Sequence, residues 1–125
     1  MCDPSLTIGI EEEYQIIDPT TRELCSYVQR FLERGHTVLP DQIRPEFLQS
    51  QVEAGTRICE DVHEARLELV RMRRSIQELA ESEGLWVAAA GTHPFSSWAR
   101  QEVSPFGRYP ELARFLQDVG RRLLI

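Results

Sequence analysis

The chain has 125 residues, 42% of them apolar and 27% charged, so it can bury a core and is not disordered in composition. A net charge of −6 argues against a general binder of nucleic acid or of anionic membranes. All 14 basic residues are arginines, which excludes a P-loop lysine, a Schiff base and a lysine general base, and leaves any phosphate contact to Arg, backbone N–H groups or a metal.

The three cysteines, Cys2, Cys25 and Cys59, form no CxxC pair and no zinc spacing. An odd count without a secretory leader reads as reduced, and no apolar run reaches transmembrane length. A soluble cytoplasmic protein is expected.

Residues 5–17 alternate as a strand does. Leu6, Ile8, Ile10, Tyr14 and Ile16 share one face with Glu12; Thr7, Gly9, Glu11, Glu13 and Gln15 share the other. Asp18-Pro19-Thr20-Thr21 reads as a turn. A short helix is expected over 24–34, stopped by Gly35, and a loop between Pro40 and Pro45. Phe47–Ala54 reads as a second strand, with Phe47, Gln49, Gln51 and Glu53 on one face.

The clearest helix runs over Asp61–Glu83, where Val62, Ala65, Leu69, Met72, Ile76 and Leu79 recur at spacings of three and four. Gly84 is its natural C-cap. The apolar run Leu85–Ala90 does not alternate, which predicts a strand covered on both faces. It empties into Gly91-Thr92-His93-Pro94-Phe95, and residues 96–109 read as loop. Pro110 suits the first turn of a last helix, Glu111–Gly120. The apolar tail Arg121–Ile125 reads as the start of a further element, hence a fragment.

The run Glu11-Glu12-Glu13 is the chemical puzzle, because adjacent like charges repel and glutamate is poor in strands. Alternation resolves it in part. Glu11 and Glu13 point the same way, roughly 7 Å apart, and can approach a hard cation together. Glu12 points to the apolar face, where it needs a partner. If the second strand lies beside the first, Glu53 adds a third carboxylate and the face becomes a magnesium site. A plain solvated polar face would show the same alternation. His93 can meet a ligand or cap a turn, and Arg108-Tyr109 can clamp an anion or be a solvated surface pair.

Taken together, LTIGIEEEYQIIDPTTREL, LQSQVEAGT, AAAGTHPF and GRY resemble, in order and spacing, the N-terminal part of bacterial carboxylate–amine ligases, the glutamate–cysteine ligase type 2 family of the glutamine-synthetase-like superfamily. The resemblance implies an α+β fold: part of a glutamine-synthetase-like antiparallel sheet with helices packed on one face, residues 1–125 being the N-terminal part of one catalytic domain. It implies that Glu11, Glu13 and Glu53 hold Mg2+ and through it ATP, and that Thr92, His93 and Arg108 belong to the amino-acid pocket. The implied reaction is ATP-dependent amide-bond formation through an acyl phosphate, with glutamate and cysteine, or another carboxylate and amine, as substrates.

Members of that family are roughly three times longer. The chain alone is therefore expected to be impaired, and its incomplete sheet to favour association, as in a homo-oligomer. Two rival readings remain: a non-catalytic remnant that keeps the fold, and a small metal-dependent phosphoryl-transfer or hydrolase domain built on the glutamates.

Overall fold

The computed structural model describes residues 6–123. Its elements, in chain order, are β1 (Glu11–Ile17), α1 (Val28–Val38), β2 (Ile43–Pro45), β3 (Gln51–Gly55), α2 (Val62–Ser82), β4 (Trp86–Ala89), a 3-10 turn over Trp98–Arg100, and α3 (Tyr109–Leu123). The α+β class with an antiparallel sheet is the one expected. The four strands lie in the order β2-β3-β1-β4, each pair antiparallel, so the acidic strand is central.

Strand alternation decides what the sheet buries. Tyr14 and Ile16 of β1, Val52 and Ala54 of β3 and Ile43 of β2 turn to one side. There they meet Val28, Phe31 and Leu32 of α1 and Met72, Ile76 and Leu79 of α2 in a single core. This helix-covered side is the rear of the sheet. The front carries Glu11, Glu13 and Gln15 of β1, Gln51 and Glu53 of β3, and Arg44 of β2.

α2 forms where the apolar period predicts it. The Asp61 side chain accepts from the backbone N–H of Glu64 at 2.8 Å, satisfying one free donor of the first turn. Gly84 follows the helix with φ 68°, a left-handed value that glycine adopts without strain. Val62, expected in the stripe, is 76% exposed, because it lies on the first turn ahead of the packed part of the helix. At the other end Glu83 receives Arg30 at 3.3 Å, the Tyr27 hydroxyl at 2.8 Å and Arg34, which fastens α2 to α1.

Several elements differ from expectation. The first strand begins at Glu11 and not at residue 5, because its partner β3 ends at Gly55; beyond that, Ile8 makes only an isolated bridge to Cys59. Residue 5 and the tail residues 124–125 lie outside the described residues. The first helix starts four residues later than expected, because residues 24–25 are held as an extension of the sheet, with Cys25 N–H donating to Ile16 at 2.9 Å.

Gly35 lies inside that helix and does not stop it. A Cβ there would stand 2.9 Å from Cδ1 of Ile43, so glycine is what lets α1 approach β2. The loop between Pro40 and Pro45 contains β2 itself. The second strand is shorter than expected: residues 49–50 turn, Phe47 is buried, and only Gln51, Glu53 and Gly55 share the front. β4 is an edge strand with Trp86 53% exposed, not one covered on both faces. α3 begins at Tyr109, with Pro110 just inside it, and breaks helical geometry at Gln117.

Candidate functional site

The central position of β1 fixes the backbone of the acidic run on both sides. Across from it on β3, Glu13 faces Glu53 directly and Glu11 faces Gly55. One strand further out, Arg44 faces Glu53. Three carboxylates from two neighbouring strands thus share the front, as the second strand's polar face predicted. Directly opposed residues bring their Cβ atoms to about 5 Å, close enough for two carboxylates to share one cation.

Around them is an open depression of about 490 Å³, lined by Glu11, Glu12, Glu13, Glu53, Ala89, Ala90 and Gly91. Gly91, the first residue of the GTHPF segment, keeps its rim low: a Cβ there would stand 4.0 Å from Oε2 of Glu13. Arg44 Nη1 reaches Glu11 at 3.9 Å and Glu53 at 3.8 Å, bridging two of the three carboxylates.

The electrostatics are those of a negative site only partly compensated. Burial, and then the charges of Glu11 and Glu46, push the Glu53 carboxyl above the usual carboxylate range, with Arg44 opposing and Glu13 adding to the repulsion. Glu12, one residue away on β1, shows the reverse. It takes Arg73 of α2 in a two-nitrogen pair, with Nε at 2.9 Å from Oε2, and accepts the Tyr14 hydroxyl at 2.6 Å. The hydrogen bonds from Arg73 hold its carboxyl below the usual range in spite of burial. Glu12 therefore finds on the helix side the partner that alternation demanded.

The remaining predicted residues stand apart from the carboxylates. His93 caps its own turn, Nδ1 accepting the backbone N–H of Ser96 at 3.0 Å, with its ring edge-on to Phe95 at 4.7 Å. Thr92 is exposed and follows directly on Gly91. Arg108 is exposed at the start of α3, while its neighbour Tyr109 packs edge-on against Phe47 at 6.1 Å and donates to the Pro45 carbonyl at 3.1 Å. None of the three lines the depression.

Two residues escape a reading by pattern. Arg44 sits in a three-residue strand that ends in Pro45, too short to show alternation. Gln15 does alternate with Glu11 and Glu13, but it is buried where they are not. Its Nε2 is enclosed with no hydrogen-bond partner among the described residues.

The donor set suits magnesium. It consists of hard carboxylate oxygens on a rigid strand pair, with no lysine to compete. Among the described residues no three such side chains converge as a finished coordination set, and Arg44 engages two of the three. Also among the described residues, no helix is long and apolar enough to cross a membrane.

The profile of the family described as glutamate-cysteine ligase family 2 matches residues 7–125. A protein of Herpetosiphon aurantiacus is 56% identical over 95% of this chain and 31% of its own length. One from Chloroflexus aurantiacus is 54% identical and one from Roseiflexus castenholzii 50% identical, each over 98% of this chain and 32% of its own length. All three carry the provisional name glutamate–cysteine ligase 2. The chain spans about a third of the length of the curated relatives it matches.

Proposed function

The chain belongs to the glutamate-cysteine ligase family 2, and on that footing we propose that it serves the ATP-dependent joining of a carboxylate to an amine, with glutamate and cysteine as the substrate pair. The observation that carries this reading is the pairing of Glu13 with Glu53 across β1 and β3, with Glu11 on the same face. Glu11, Glu13 and Glu53 would hold Mg2+, which supplies charge neutralisation for the phosphate oxygens of ATP. The chemistry is transfer of the γ-phosphoryl group to the acid, then attack of the amine on the acyl carbon with loss of phosphate.

The rigid sheet positions the donors, and the open front admits a large polar ligand. Thr92 and His93 are assigned to the amino-acid side of the site because the segment that starts at Gly91 borders the depression, and Arg108 is assigned there on the family resemblance alone.

Metal binding is the direct test, because the three proposed ligands all lie on this sheet. Calorimetry with Mg2+ is expected to show binding that weakens at least about tenfold in Glu13→Gln, the scale of losing one charged ligand. ADP formation by the chain alone is expected to be weak or absent, and what there is to depend on both glutamate and cysteine. Mg2+ affinity indifferent to Glu13 would sink the reading.

A further inference from the structure

The chain between β4 and α3 crosses the front of the sheet without joining the core. From Thr92 to Gln101 no side chain belongs to the hydrophobic cluster or packs against it, and Phe95 is exposed. What fastens this segment is polar. The Ser96 hydroxyl, placed by the turn that His93 caps, accepts the backbone N–H of Leu24 at 2.9 Å. Gln101 Oε1 accepts the Ser50 hydroxyl at 2.7 Å, and Arg100 pairs with Glu23. Beyond Gln101 the chain is held more firmly. The Glu102 carbonyl accepts the N–H of Gln49 at 2.8 Å, the Phe47 carbonyl that of Ser104 at 2.8 Å, and Val103 bridges to the buried Leu48.

These anchors lay the segment over one end of the central strands. It leaves β4 after Ala89, which faces Tyr14. Leu24 bridges Ile17 at the end of β1, and Ser50 stands just before β3. Gln15 lies among these anchors, facing Gln51 on β3 and Ala88 on β4. It is buried, although Glu11 and Glu13 on the same strand face are exposed. α1 and α2 pack behind the sheet, so its cover comes from the chain in front. Under that cover its Nε2 has no hydrogen-bond partner among the described residues.

We infer that residues 92–101 are a strap over Gln15 that lifts from the sheet as a unit, between the end of β4 and the bridge at 102–104. Lifting breaks few bonds and bares little apolar surface, and each polar group it releases finds water. Closure buries one donor unanswered, a cost that opening removes. With the strap lifted, the front runs on from Glu13 to Gln15 and presents an amide donor there. The motion does not depend on what the carboxylates hold.

Hydrogen exchange followed by NMR on the full chain reads the strap directly, because the Leu24 amide donates into it. After correction for intrinsic rates, Leu24 is expected to exchange at least about tenfold faster than Gln49 and Ser104, whose amides report on the 102–104 bridge. Arg100→Gln, at the exposed rim, is expected to speed Leu24 about twofold to fivefold, the size of one exposed pair, and to leave Gln49 and Ser104 unchanged. Gln15→Met removes the donor at similar volume and is expected to slow Leu24 about fivefold or more. Equal protection of the three amides, or an Arg100→Gln effect shared by all of them, overturns the strap. Unchanged or faster Leu24 exchange in Gln15→Met means that the donor is answered when the strap is closed, as by a buried water, and overturns the part given to Gln15. Arg100→Gln keeps the strap falsifiable should Gln15→Met fail to fold.

Discussion

The sheet has two faces, and glutamates on its neighbouring strands β1 and β3 meet opposite fates on them. Glu12, toward the helices, is paired with Arg73 and Tyr14, and its carboxyl is held below the usual range. Glu53, on the open front with Glu11 and Glu13, is pushed above it by burial and by its like-charged neighbours. The rear is electrostatically complete and packed. The front concentrates negative charge that the fold satisfies only in part, through Arg44. A charge aimed at the core must be answered within the chain, whereas one on an open face can be left partly unanswered.

Substitutions on the two faces should therefore differ in size and in sign. Ile16 is fully buried at the centre of the rear face, and Ile16→Ala is expected to cost about 2–5 kcal/mol in denaturant melts. A loss below about 1 kcal/mol would mean that the rear core does not carry the stability. Glu12→Gln is expected to cost about 1–3 kcal/mol, because it leaves Arg73 and the Tyr14 hydroxyl without their charged acceptor.

That gap should depend on pH. The folded pKa of Glu12 lies below the ordinary 4.5, so its contribution is complete above about that value and is lost as pH falls through the folded one. Variant and wild type should converge on acidification, and a gap constant down to pH 3 would argue against the ion pair. Glu53→Gln should move the other way. A raised folded pKa means that the charged form opposes folding at neutral pH, so removing the charge is expected to gain about 0.5 kcal/mol after allowance for solvent screening. Destabilisation by this variant would make Glu53 a structural partner and erase the contrast between the faces.

What could be read from the residue pattern follows the reach of each interaction. The two faces of β1 were legible because alternation is local, and α2 because its apolar period runs for several turns. The pairing that gathers Glu11, Glu13 and Glu53 could be posed as a condition, since the spacing of LQSQVEAGT left Glu53 on a polar face. β2 was not legible: three residues, the last of them Pro45, carry no period, and its existence depends on the edge that β3 offers. Arg73 as the partner of Glu12 lies 61 positions away, on a helix whose outer face is full of arginines, so nothing local singled it out. Gly35 looked like a helix stop because helix ends favour glycine, yet here the choice answers to Ile43 on another element.

That close approach ties two parts of the molecule that share no function. Ile43 presses against the bare backbone of Gly35, and the next residue along β2 is Arg44. The three-residue strand works as a short lever with its pivot in the sheet. One end is loaded by helix packing at the back, and the other carries the positive charge between Glu11 and Glu53. Crowding behind the sheet, by so little as one methyl group on α1, would press on the strand that carries the positive charge in front, at a position no inventory of the front-facing residues would contain.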